Sequence, residues 1–91
     1  MKRIFSAHAW ADCQFSLAGD PAILRRLNEF IRDAQSSPFK GIGKPEPLVG
    51  PLKGWWSRRI TLEHRLVYRV SGTGETQALE IAACRFHYRA P

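Results

Sequence analysis

Cysteine is scarce in this 91-residue chain, with two residues, Cys13 and Cys84, far apart and in no Cys-x-x-Cys pattern. That suggests neither a disulfide framework nor a zinc site, and both cysteines are expected to be small buried hydrophobes. No apolar run approaches the roughly 20 residues needed to cross a bilayer, and Met1-Lys2-Arg3-Ile4-Phe5-Ser6 lacks the apolar stretch of a signal peptide. A cytoplasmic protein with no membrane partner is expected. Internal repeats, low-complexity segments and a glycine-rich phosphate loop of the G-x-x-x-x-G-K-[ST] type are all missing. Acidic residues are also few: 8 Asp plus Glu stand against 14 Lys plus Arg, a net charge of +6. Such an excess attracts RNA, DNA or an acidic protein, and charge alone does not choose among them. Residues 1–51 hold seven basic and five acidic residues and 52–91 hold seven and three, so an anion is expected on the second half. The length suits one domain, 1–91.

Residues 2–5 read as a short strand. Ser6 follows as a helix cap, and a first helix is expected near 7–17, with Trp10, Cys13 and Leu17 as a narrow apolar stripe and Gly19 as its stop. Asp20-Pro21 repeats the start signal, placing an acceptor at the cap and a proline in the first turn, where its missing N–H costs nothing. The second helix should run to about residue 35, with Ile23, Leu27, Phe30, Ile31 and Ala34 inward and Arg25, Arg26, Asn28, Glu29, Arg32 and Asp33 mostly toward solvent. The two helices form a hairpin.

Residues 36–54 carry four prolines and four glycines, which ends helical structure. Phe39, Ile42, Leu48, Val49 and Leu52 within that stretch predict a docked loop with one short edge strand. Strands are expected at 55–60, 64–70 and 78–86, with turns at Leu62-Glu63 and Ser71-Gly72-Thr73-Gly74. The expected fold class is α+β, an N-terminal strand and helical hairpin packed on a mainly antiparallel sheet.

Five arginines and two histidines lie between Trp55 and Tyr88, among Ile, Leu, Val, Tyr and Phe. Arginine presents a planar fork of donors to phosphate oxygens, and histidine moves a proton near neutral pH. Arg58 and Arg59 must face opposite sides of a strand, so only one joins a given site, leaving the other as a solvated charge or a partner contact. Arg65, Val67 and Arg69 share one strand face, and Leu66, Tyr68 and Val70 form the core face. Arg65 follows the turn and comes near Arg59, where the pair could clamp one phosphate, although a Glu63–arginine contact across the hairpin is an equally open reading. Glu46, stiffened between Pro45 and Pro47, is either a general base or a plain surface carboxylate. His87, flanked by Tyr88, is either a proton donor or a surface residue. His8 and His64 are given no role. An acid, a base and a cation suffice for metal-free cleavage of RNA, whose 2′-hydroxyl is its own nucleophile.

Lys44-Pro45-Glu46-Pro47-Leu48, Trp56-Ser57-Arg58-Arg59-Ile60-Thr61, Glu63-His64-Arg65-Leu66-Val67-Tyr68 and Ala82-Ala83-Cys84-Arg85-Phe86-His87-Tyr88 resemble the YoeB toxins, as do Pro38-Phe39-Lys40-Gly41 and Gly43-Lys44. The blocks stand in the family's order and spacing over nearly the whole chain. The chain departs from the pattern in continuing past Tyr88 with Arg89-Ala90-Pro91 and in a longer loop at 71–77.

The resemblance implies a RelE-like fold and an endoribonuclease toxin of a type II toxin–antitoxin pair, cutting mRNA in the A site of the bacterial 70S ribosome. By carry-over, Glu46 would take the 2′-hydroxyl proton, Arg65 would stabilise charge on the phosphate, and His87 would protonate the departing 5′-oxygen. Arg59 would bind phosphate and Tyr88 would shape the site. The products would be a 2′,3′-cyclic phosphate and a 5′-hydroxyl, with no metal or cofactor, and an ionised Glu46 beside a protonated His87 would give a bell-shaped pH profile. The implied partners are a YefM-like antitoxin with a flexible acidic segment, a second copy of the chain as a homodimer, and operator DNA only through the antitoxin complex. The competing class is a non-catalytic basic module on RNA or the ribosome, or a degenerate toxin. A DNA-binding regulator is weaker, since neither helix is strongly basic on one face.

Overall fold

The computed structural model describes residues 1–84, with 15–18 as backbone only. Strand β1 (Lys2–Phe5) leads into helices α1 (Ala7–Ala18) and α2 (Pro21–Ser36), followed by strands β2 (Glu46–Pro47), β3 (Trp56–Arg59), β4 (Arg65–Ser71) and β5 (Ala78–Ala83). Short 3-10 turns occupy Gly50–Leu52 and Gly74–Thr76. The five strands form one sheet in the order β1-β5-β4-β3-β2, parallel between β1 and β5 and antiparallel elsewhere. The expected α+β class is observed. His87 and Tyr88, and the end of the expected 78–86 strand, lie outside the described residues.

Both helix starts follow the capping chemistry. The Ser6 Oγ accepts from Ala9 N at 3.0 Å and also donates to the Ala82 carbonyl at 3.1 Å, tying α1 to β5. Asp20 Oδ1 accepts from Ala22 N at 2.9 Å, with Pro21 in the first turn of α2. Helix α2 buries Leu27, Phe30, Ile31 and Ala34 against Ile60, Leu66, Tyr68, Leu79 and Ile81, and Ile23 is half-buried.

Helix α1 corrects the expected stripe. Trp10 is 52% exposed and packs edge-on to Phe5, Cys13 is only partly buried, and the residues turned to the sheet are Ala9 and Asp12. Asp12, 4% exposed, accepts from Cys84 N at 3.0 Å, so a carboxylate satisfies a strand-end amide where an apolar side chain would leave it unpaired. His8, given no role in the site, has its Nε2 3.7 Å from Asp12 Oδ2 one turn on. Cys84 is buried as expected.

The 36–54 loop docks in part. Ile42 packs on the main core and Leu48 on a second cluster, but Phe39 and Val49 are exposed, Val49 at 83%. The expected edge strand is β2, its Glu46 opposite Ser57 and Pro47 opposite Trp56. The second cluster, Val67, Ala82 and Ala83 with Leu48 and Trp55, lies on the sheet face away from α2. It includes two consecutive alanines because β5 bulges: Tyr68 pairs with Ile81 and Val67 with Ala83, leaving Ala82 without an opposite residue.

Candidate functional site

Strand alternation puts Ser57, Arg59, Arg65 and Val67 on the face that α2 leaves uncovered. Glu46 stands opposite Ser57, and Arg59 stands directly opposite Arg65. These positions, with Gly43 and Lys44 from the preceding loop, line a small pocket of about 50 Å³. A wider groove of about 350 Å³ continues from it past Lys44 and Arg59 to Thr61, Leu62 and Arg26.

The loop reaches this face by a sharp reversal. Gly43 has φ +78°, and a Cβ there would meet Phe30 Cε2 at 2.4 Å, so both conformation and space demand glycine. Lys44 follows at φ +51°, an uncommon conformation for a residue with a side chain, next to the point where Arg59 N donates to Gly43 O at 2.7 Å and fixes the loop to β3. That reversal turns Lys44 and then Glu46 toward the arginines.

Arg65 is oriented by the turn before β4. Its Nη1 donates to the Thr61 carbonyl at 3.1 Å, with the His64 and Leu62 carbonyls at 3.3 and 3.4 Å. Thr61 Oγ1 builds the turn by accepting from His64 N at 3.1 Å. Ion pairs of arginine or lysine among the described residues are Arg58–Asp33 and Arg69–Glu80, so the Glu63–arginine contact is not formed there and none of Lys44, Arg59 and Arg65 is neutralised by Glu46. Arg69 is held elsewhere, 4.6 Å over the Trp55 ring and 3.1 Å from Glu80. Glu80's carboxyl sits below the usual range because the Ser71 hydroxyl and then Arg69 bond to its charged form. Three cations and one carboxylate around a small pocket suit a phosphodiester, with cations for its oxygens and an oxygen base at its rim.

Of the residues expected to form a site, the structure thus brings Glu46, Arg59 and Arg65 together. Two residues of this surface escaped sequence reasoning. Lys44 sits in a loop whose reversal only the tertiary packing reveals, although the Gly43-Lys44-Pro45 punctuation marked a turn. Arg26 is exposed on α2 as expected, yet its Nε donates to the Ile60 carbonyl and its guanidinium lies 5.0 Å over the Phe30 ring, which places it at the groove. Arg58 requires a correction. Its expected role as a solvated charge or partner contact gives way to complete burial, at 0% exposure, because the strand face opposite the pocket is the core face.

The chain is similar to known proteins over nearly its whole length. The model of the "YoeB-like toxin of bacterial type II toxin-antitoxin system" matches residues 5–88. Toxin YoeB of Escherichia coli (strain K12) is 50% identical over 88 residues, 97% of this chain and 100% of that protein. The solved YoeB/ParE toxin from Agrobacterium tumefaciens superposes with TM-score 0.93 at 51% identity, covering 97% of this chain and 100% of that one. The YoeB dimer and the heterotetrameric YoeB-YefM toxin-antitoxin complex from Staphylococcus aureus each match with TM-score 0.85 at 36% identity, covering 97% of this chain and 98% of theirs. With its family pattern matched almost end to end and its fold shared with solved members, the chain belongs to the YoeB-like toxins of bacterial type II toxin–antitoxin systems.

Proposed function

We propose that the chain is a ribosome-dependent endoribonuclease that cuts mRNA in the A site of the bacterial 70S ribosome. The observation that carries this reading is the convergence of Glu46 with Lys44, Arg59 and Arg65 on one pocket. Glu46 removes the 2′-hydroxyl proton, and the 2′-oxygen attacks phosphorus as the bond to the 5′-oxygen breaks. Arg65 stabilises the charge growing on the phosphate, where a preorganised donor typically contributes about 100-fold in rate or more. His87 donates the proton that lets the 5′-oxygen leave. Arg59 and Lys44 hold phosphate oxygens, Tyr88 shapes the site, and the groove toward Arg26 takes the adjoining backbone. The products are a 2′,3′-cyclic phosphate and a 5′-hydroxyl, and the route needs no metal because RNA supplies the nucleophile.

The functional partners follow from the same reading. A YefM-like antitoxin neutralises the toxin in the cytoplasm through an acidic segment that suits the net charge of +6. The toxin forms a homodimer, and operator DNA is contacted only through the antitoxin complex. One base and one acid give a bell-shaped pH profile in single-turnover cleavage, and a flat profile would count against them.

The test is primer extension on a messenger programmed into 70S ribosomes, comparing wild type with Glu46→Ala and His87→Gln at ribosome-saturating concentration. Cleavage within the A-site codon that collapses in both variants supports the nuclease and its acid–base pair. Ribosome binding with no cut by wild type supports instead a non-catalytic basic module.

A further inference from the structure

We propose that Arg58, acting through Asp33 and Tyr68, is a positioning residue that clamps the loop carrying Lys44 and Glu46 into the pocket. The inference rests on the nuclease reading for its kinetic consequence and on the geometry alone for the clamp.

Arg58 is fully buried between Ser57 and Arg59, which face the opposite side of the sheet. A guanidinium has five N–H donors, and here all five meet acceptors. Nε donates to Tyr68 Oη at 3.0 Å, Nη1 to Asp33 Oδ2 at 2.5 Å and the Ile42 carbonyl at 3.3 Å, and Nη2 to the Ser37 and Lys40 carbonyls at 2.6 and 3.0 Å. The two side-chain partners hold the same stretch of chain. Tyr68 Oη donates to the Pro38 carbonyl at 2.5 Å, and Asp33 Oδ2 accepts from Ile42 N at 3.2 Å. Carbonyls of residues 37, 38, 40 and 42 and the amide of 42 are thereby fixed in a stretch that belongs to no helix or strand beyond Ser36.

The clamp ends where the reversal into the pocket begins. Ile42 is its last held residue, Gly43 and Lys44 turn with positive φ, and Glu46 enters β2 two residues later. Gly41 is enclosed by the same groups, since a Cβ there would lie 2.2 Å from Asp33 Oδ2 and 3.4 Å from Arg58 Nη1. Strand β3 therefore uses two adjacent arginines on opposite faces, Arg59 lining the pocket and Arg58 fixing the segment that brings Glu46 to it. Burying a charge is an expensive way to gain stability, and apolar residues of similar volume often serve as well or better. What this arginine adds is a single geometry for five backbone groups. The Asp33 carboxyl is held below its ordinary range chiefly by the hydrogen bond from Arg58, consistent with a fixed ionic contact.

Tyr68→Phe and Asp33→Ala test the clamp, with Asp33→Asn as the conservative rescue, because Arg58→Ala removes a core side chain and can simply unfold the protein. Two readouts are taken on folded protein: single-turnover cleavage on saturated ribosomes beside ribosome affinity, and amide hydrogen exchange at residues 42–44. The expected result is a cleavage rate about tenfold or more lower in Tyr68→Phe and Asp33→Ala, ribosome affinity within about twofold of wild type, faster exchange at 42–44, and a rate for Asp33→Asn nearer wild type. A merely structural role lowers the melting temperature and leaves the rate of folded, ribosome-bound enzyme and the exchange at 42–44 unchanged, and that result overturns the clamp. If wild type itself makes no cut, the nuclease reading fails while exchange still decides the clamp.

Discussion

At the scale of single residues, the site depends on side chains whose neighbours on the same strand do something quite different. Arg65 is partly exposed and, among the described residues, bonds carbonyls of its own turn. Arg65→Ala is expected to slow A-site cleavage by about 100-fold or more while leaving stability within about 0.5 kcal/mol, as for surface substitutions generally. Cleavage assays paired with urea denaturation check both halves. Gly41 behaves oppositely, because it does not line the pocket yet has φ +119° and no room for a Cβ beside Asp33. Gly41→Ala should cost about 1–3 kcal/mol from backbone strain alone. Equilibrium unfolding that shows no loss would contradict the enclosed geometry.

Among the elements, β1 pairs along its length with β5, and α1 is tied to the same strand by polar groups. Ser6 N donates to Ile81 O at 3.0 Å, Ser6 Oγ serves both Ala9 and the bulged Ala82, and Asp12 caps Cys84. Ser6→Ala removes a helix cap and leaves the Ala82 carbonyl without that donor, so a loss of about 1–2 kcal/mol is expected, read as a lowered urea midpoint with an unchanged slope. Element positions were largely legible from the sequence, since caps, prolines and strand alternation are local rules. The orientation of α1 was not. Its stripe of Trp10, Cys13 and Leu17 suggested an apolar interface, and the fold instead needed a carboxylate at residue 12 to satisfy the end of β5, a demand that arises 72 residues along the chain.

For the whole molecule, the Arg58 cluster links stability to pH. Asp33's carboxyl lies below its ordinary value of 3.8, first because Arg58 donates to its charged form and further through the Ile42 amide and the Arg58 charge, against the opposing effect of burial. A lowered folded-state pKa means that this contribution is complete above the ordinary aspartate value and is lost as pH falls through the lower folded one. Wild type should therefore lose stability steeply on acidification from about pH 5 downward, while Asp33→Asn starts less stable at neutrality and falls less steeply. Denaturation midpoints across that range check the difference, and parallel curves would refute it.

The amino-acid sequence determined the helical hairpin, the edge strand, the α+β class and the candidates Glu46, Arg59 and Arg65, because capping, backbone restriction and two-residue alternation act between near neighbours. The hairpin turn already brought Arg65 near Arg59, and only the tertiary structure decided that Glu46 and Lys44 join them in one pocket and that Arg58 is buried. Those outcomes depend on strand register and on which face α2 covers. Burial reverses the meaning of an arginine: in water it is a free cation, and in the core it persists only where acceptors from distant segments meet all of its donors.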